Sequence, residues 1–215
     1  MTRTETILDA LVPLIADLAR DDLPADSRYQ RLLDALRRLL PCDAIALLRL
    51  EGDALVPLAV QGLSADTLGR RFRVDAHPRL QALLQAPRAM RFPADSELPD
   101  PYDGLIESGG GSLEVHDCMG CVLHVGHAPW GVLTLDALDA GRFSQADLRV
   151  LDTFASLAAA TVAAITRYQR LASSVEDERQ RAEAYRLAAT PASPKLVGLS
   201  PAYRQMRSEI DLVAP

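Results

Sequence analysis

The stretch Ser112 to Val125, SLEVHDCMGCVLHV, decides how the rest of the chain is read. As an extended strand, its odd positions Leu113, Val115, Met119, Cys121, Leu123 and Val125 form an apolar face broken only by Asp117. The even positions carry His116, Cys118 and His124. A strand with an ordinary core face therefore sets imidazole and thiol side by side on the other. His116 and Cys118 point the same way and lie close enough to share one ion, and both are soft or borderline donors suited to iron or zinc.

The segment that follows supplies a partner. A turn near Gly126-His127-Ala128-Pro129 leads into WGVLTLDAL, whose alternation predicts an antiparallel strand beside the first, with Asp136 near its end. A turn with an odd number of residues centred on His127 sets Asp136 directly opposite Cys118. An even one centred between His127 and Ala128 turns Asp136 to the other face. The sequence permits both registers. Upstream, PADSELPDPYDGLIESGGGS, from Pro93 to Ser112, has the composition of a long surface loop with little to bury, the kind that carries function. Within it Pro101 restricts Asp100 to extended or turn geometry, and the interval to Asp103 allows a turn that brings both carboxylates inward.

The surrounding elements follow from periodicity. Ile7, Leu8, Leu11, Leu14, Ile15 and Leu18 recur at helical spacing, predicting a first helix that ends between Asp21 and Pro24. Ser27 is the expected cap of a second helix, with Leu32, Leu33, Leu36, Leu39 and Leu40 as its stripe and Pro41 as its stop. AIALLRL and GDALVPLAVQGL read as a β-hairpin turning at Glu51-Gly52-Asp53. A short helix opens near His77-Pro78, and Met90 to Phe92 form a brief strand. Ser144 and Asp147 make a capping box for a long helix whose stripe is Leu148, Leu151, Phe154, Leu157 and Ala158. It runs on through RYQRLASSVEDERQRAEAYRLAA, where opposite charges intermix, as in a signalling or dimer-linking helix, until ATPASP breaks it. The order predicts an α+β domain: a central antiparallel sheet, helices packed on it and a long C-terminal signalling helix. Sensor domains of the PAS and GAF classes share this form.

At 215 residues the chain is long enough for a real core, and three cysteines make an odd count with no disulfide framework, which favours a reducing, cytoplasmic setting. The N-terminus reads as an amphipathic helix, not a secretory signal, and the apolar run Leu157 to Ile165 is too short to span a membrane. A net charge of -6 argues against nucleic-acid binding by this part of the protein.

Asp100, Asp103, His116, Cys118 and Asp136 together offer three carboxylates, an imidazole and a thiolate. That mixture suits a mononuclear non-haem ferrous iron better than a closed structural zinc site. Five protein ligands leave one octahedral position for a small molecule, which is what a gas sensor needs. Each residue also has an ordinary reading: His116 and Cys118 in packing, Asp100 and Asp103 as turn caps, Asp136 as a strand terminator. Arg79, in His77-Pro78-Arg79, either stands over the open metal position and reads a change in charge or pairs with a surface acid. Rival motifs are weaker. Cys118 and Cys121 have CxxC spacing but project to opposite faces of a strand, and Gly109-Gly110-Gly111 lacks a following GK[ST]. The two histidines and one carboxylate of an oxygenase are not convincingly spaced, and no nucleophile elbow or dinucleotide fingerprint occurs, so this fragment reads as a non-enzyme.

LGRRF, HPRL, RFPADSELPDPYDGLI, GVLTLD and the HxC at His116 to Cys118 resemble the N-terminal GAF domain of the nitric-oxide-responsive bacterial enhancer-binding regulators, the NorR family. The likeness covers most of residues 5 to 168, and LVGLSPAYRQMRSEIDLVA resembles the entrance to that family's AAA+ ATPase domain. The resemblance implies a GAF sensor domain over 1–168, a helical linker over 169–194 and the start of the ATPase domain over 195–215. It also implies a non-haem Fe(II) centre that binds nitric oxide, with ligands falling on Asp100, Asp103, His116, Cys118 and Asp136 and a responding arginine on Arg79. In that family the GAF domain represses its own ATPase until nitric oxide binds, and the activated assembly drives transcription by the sigma-54 form of RNA polymerase. A homodimer is expected, with no direct contact to nucleic acid or membrane. Two positions depart from the family pattern: Gln85, where an arginine can contribute to the repressive contact, and Cys121. The alternative reading is a metal-free GAF module for dimerisation or small-ligand binding.

Overall fold

The computed structural model describes residues 3–18, 20, 23–106, 117–189 and 198–213. The first helix, α1 (Arg3–Leu18), precedes α2 (Ala25–Leu39). α2 starts two residues before the expected Ser27 cap, because the Pro24 carbonyl already accepts the Arg28 N–H at 3.1 Å and draws Ser27 into the first turn. It stops before Pro41 and buries Tyr29, Leu32, Leu33 and Leu36.

β1 (Ala44–Glu51) and β2 (Ala54–Gln61) form the expected hairpin, with Gly52 at φ 64° in the turn. β3 (Phe72–Arg73) then precedes α3 (Pro78–Gln85), which has Pro78 in its first turn, where a missing N–H costs nothing. β4 (Met90–Phe92), β5 (Asp117–Val125) and β6 (Ala128–Ala137) complete a sheet of order β3-β2-β1-β6-β5-β4, antiparallel throughout. The five upstream residues of the stretch quoted first, including His116, lie outside the described residues.

The sheet separates two cores. On one face Ile45, Leu47, Met119, Cys121, Leu123 and Leu135 pack with Leu14 of α1, Leu32 and Leu36 of α2 and Leu151, Phe154 and Val162 of α4 (Gln145–Ala189). On the other, Ala46, Leu48, Cys118 and Val132 meet Leu80 and Leu83 of α3 and Tyr102, Leu105 and Ile106 of the loop after β4. That loop was expected to bury little. Tyr102 is fully enclosed, and Ile106 bridges to Leu63, so the segment forms one wall of the second core.

The predicted capping box opens α4: the Ser144 N–H donates to Asp147 Oδ2 at 2.9 Å, and the Asp147 N–H donates to Ser144 Oγ at 3.3 Å. α4 contains a stretch long and apolar enough by composition to cross a membrane, more than the short run read from sequence. Leu151, Phe154, Ala158, Val162 and Ile165 of α4 are buried in the core. By contacts the chain divides into two compact units, Met1–Tyr168 and Gln169–Pro215. The second holds the remainder of α4, exposed along its described length from Gln169, and α5 (Pro201–Val213).

Candidate metal centre

Cys118 and Asp136 are register partners across β5 and β6. This is the register expected of an odd turn centred on His127, although the turn itself is neither of the two considered from sequence. The reversal is a two-residue turn at Gly126-His127, flanked by the pair Val125 and Ala128, with Gly126 at φ 68°. Continued without interruption, that register would miss Asp136 by one residue. A bulge between Leu123/Gly131 and His124/Pro129 leaves Trp130 as the extra residue and restores the alignment. Cys118 faces the second core, while Met119 and Cys121 face the helices, as strand alternation requires.

α3 and the loop after β4 close over this strand pair. Gly120 lets α3 approach: a Cβ there would lie 2.7 Å from Leu83 Cδ1 and 2.8 Å from the Leu133 carbonyl oxygen. Arg79 of α3 is buried, donates to the Leu98 carbonyl at 2.7 Å and places its guanidinium carbon 5.4 Å from the centre of the Phe92 ring. Its Nη1 donates to Asp100 Oδ2 at 2.5 Å. The other Asp100 oxygen accepts the Tyr102 N–H at 2.8 Å, a local turn that carries the Tyr102 ring inward against Phe72. The Thr134 hydroxyl donates to the Tyr102 hydroxyl at 3.1 Å, tying the loop to β6 two residues before Asp136.

The result is a buried group of Asp100, Cys118 and Asp136, each offering one ligand atom within 4.8 Å of the other two. Both oxygens of Asp136 are buried, and neither accepts a well-formed hydrogen bond among the described residues; the Cys118 thiol beside the carboxylate is a weak donor. Burial pushes the Asp136 carboxyl well above the usual carboxylate range, and the Asp100 charge adds to the effect, against the opposing pull of Cys118 and Arg79. Cys118 is raised for the same reasons, burial first and then Asp136 and Asp100. Asp100 is raised to about 6: burial outweighs the Tyr102 N–H and the Arg79 cation, and Asp103 adds repulsion.

Two carboxyls and a thiol enclosed with one cation make a poor resting place for negative charge. A divalent cation would reverse that balance, and carboxylate and thiolate donors are chemically suited to ferrous iron. Of the remaining residues singled out from sequence, Asp103 is exposed and stands apart from the group of three, Arg79 is paired with Asp100, and His116 lies outside the described residues. Sequence reading passed over Tyr102, Thr134 and Gly120. Tyr102 lay between two acids in a stretch read as loop, whereas Thr134 was detectable, since alternation along WGVLTLDAL puts it on the Asp136 face.

A six-stranded antiparallel sheet, with α1, α2 and α4 over one face and α3 and the loop after β4 closing over a buried acid and thiol cluster on the other, has the form of a small sensory domain. The GAF domain family model matches residues 24–162, and the chain belongs to that family. It is 43% identical over 210 residues to the anaerobic nitric oxide reductase transcription regulator NorR of Klebsiella pneumoniae, covering 96% of this chain and 39% of the relative. It is 41% identical over 191 residues to the regulatory protein LuxO of Vibrio cholerae, covering 88% of this chain and 36% of that one. The chain thus spans well under half the length of these relatives. Among solved structures, the GAF domain of a phosphoenolpyruvate-protein phosphotransferase from Coxiella burnetii matches with a TM-score of 0.59 at 20% identity, over 75% of this chain and 95% of that one, a likeness of fold. The likeness read from RFPADSELPDPYDGLI is homology to NorR-family regulators over nearly the whole chain, and a non-catalytic regulatory module is the role consistent with it.

Proposed function

We propose that this chain is the nitric-oxide-sensing regulatory part of a sigma-54-dependent transcription activator. The observation that carries the reading is Asp136: a fully buried carboxyl with no well-formed hydrogen bond among the described residues, set opposite Cys118 and within reach of Asp100. A buried acid left in that condition is costly, and binding a cation removes the cost. Cys118, Asp136 and Asp100 would hold a mononuclear non-haem ferrous ion, with His116 and Asp103 completing the set. Bound there, the ion would supply the affinity for nitric oxide.

The chain's own residues account for the rest. Tyr102 and the apolar wall of α3 exclude water from the site. Arg79 holds Asp100 through a side chain anchored at the Leu98 carbonyl, so any change in the charge on Asp100 is felt directly in α3. Movement of α3 and of the strands that lead into α4 would shift a two-state equilibrium and relieve repression of an AAA+ ATPase domain beginning within 195–215, after a GAF domain over 1–168 and a helical linker over 169–194. Pairing of two copies in the bacterial cytoplasm would use α4, where Tyr168, Leu171 and Val175 recur three and four residues apart and are exposed.

A metal-free interaction module draws support from the Arg79–Asp100 pair, which satisfies one carboxylate without an ion. It leaves Asp136 without an explanation. Anaerobic loading with one equivalent of ferrous iron, followed by nitric oxide titration under electron paramagnetic resonance, separates the readings. The sensor gives a protein-dependent high-spin signal saturating at one per chain; the module gives none.

A further inference from the structure

Asp117 is a fully buried carboxylate beside Cys118 that the metal reading does not use. Strand alternation turns its side chain away from the Cys118 face. Arg91 of β4 donates to both of its oxygens, from Nε at 2.6 Å and from Nη2 at 2.9 Å. The backbone N–H of Phe143 donates to Oδ2 at 2.9 Å. Phe143 immediately precedes the Ser144 and Asp147 box that starts α4, and its ring is buried with Leu151 and Phe154. A second link lies close by: the Ala89 N–H, just before β4, donates to Asp152 Oδ1 of α4 at 2.6 Å.

One residue is therefore joined by the backbone to Cys118 and by an enclosed hydrogen bond to the entrance of the long helix. An acceptor with three N–H donors on two separate elements has little freedom to rotate, so it passes on displacement of its backbone instead of absorbing it. Arg91 braces it: its side chain is 28% exposed against none for Asp117, so the cation keeps contact with water while the carboxylate stays fixed.

We propose that Asp117 is a positioning residue that ties the Cys118 strand to the first turn of α4, so that a shift of Cys118 on occupation of the site is delivered to Phe143 and the output helix. The occupation step rests on the metal reading above; the tie itself does not.

Hydrogen exchange of the whole 215-residue chain, read by NMR at individual amides, tests both parts. Asp117→Ala is compared with the double variant Asp117→Ala/Arg91→Met, which leaves no unpaired cation and guards against simple misfolding. In the metal-free protein both variants should exchange the Phe143 amide about tenfold faster or more, with Gly120 in the sheet unchanged; a Phe143 rate equal to that of the original chain overturns the tie. With ferrous iron and nitric oxide added, the original chain should alter exchange across residues 143–148. The double variant should give the same paramagnetic signal and no such alteration. An equal alteration in the variant overturns transmission through Asp117, since a merely structural role would leave it in place. Failure of the original chain to bind iron would sink the metal reading and the transmission step together, whereas an unchanged Phe143 rate in the metal-free variants sinks the tie alone.

Discussion

Cys118 and Asp136 face each other across β5 and β6 because Trp130 is bulged out between the turn and the pair. An even turn and a one-residue bulge give the register that a single odd turn would have given. The bulge is held by side-chain packing, since Trp130 lies against Tyr29 of α2 with ring centres 6.5 Å apart. Deleting Trp130 should close the bulge into a regular ladder, because His124 would still meet Pro129 and Leu123 would still meet Gly131, and so keep Asp136 opposite Cys118 with ferrous binding intact. Loss of binding in a folded deletion variant, measured by anaerobic dialysis, would show that the Cys118–Asp136 register alone does not govern the site.

Asp136→Asn should make the metal-free protein more stable while removing its metal affinity. The neutral amide escapes the penalty that burial and the Asp100 charge impose on the carboxylate. The gain should be on the order of 1 to 3 kcal/mol at pH 7.5, read from urea unfolding, and should shrink near pH 4.5, where the folded carboxyl is protonated. A variant less stable than the original at pH 7.5 would argue that Asp136 has a structural partner.

The metal-free chain itself should lose stability as pH rises from about 4 to about 6. The sign follows from the direction of the shift. Asp100 titrates at about 6 in the folded chain against 3.8 for an unperturbed aspartate, and Asp136 is raised as well, so across this window the folded state holds more protons than the unfolded one. Stability conferred at low pH is lost on the way up, by an amount on the order of 1 to 3 kcal/mol from Asp100. Chemical unfolding at a series of pH values checks this, and a curve rising over the same interval would be the opposite result. Saturating ferrous iron should restore stability at pH 7 by mass action.

Much of this was legible beforehand, and the failures have physical causes. The elements from β1 to α4 follow from alternation and helical spacing, and the separation of Cys118 from Cys121 follows from strand geometry alone. The loop after β4 was misjudged because its prolines and acids read as surface, while one tyrosine, Tyr102, is carried inward by the Asp100 turn. The start of α2 was misplaced because Pro24 supplies a backbone acceptor two residues ahead of Ser27's expected capping position. Arg79 was recognised as a cation near the site, but its pairing with Asp100 depends on how far α3 descends onto Gly120, and no local pattern encodes that distance.

Gly120→Ala tests that descent. The added methyl would press on both Leu83 and the Leu133 carbonyl, and the carbonyl belongs to a paired strand and has little room to yield. A loss of about 1 to 3 kcal/mol is expected in urea unfolding, together with weaker ferrous binding as α3 and Arg79 lift. Full stability and affinity in the variant would show that α3 can seat without that contact.

Replacing both Leu171 and Val175 with aspartate should convert a dimer to a monomer in sedimentation while leaving the circular dichroism of the domain intact. Both side chains are exposed on α4, so the single chain has nothing to lose from the change. An unaltered sedimentation coefficient would move the pairing surface elsewhere.

The central claim is that Cys118, Asp136 and Asp100 hold a metal ion, and the ferrous stoichiometry of the anaerobically reconstituted chain addresses it directly when measured beside Asp136→Asn and Cys118→Ala. One iron per original chain and none in either folded variant is the expected result. Equal iron in all three would contradict the assignment of the site.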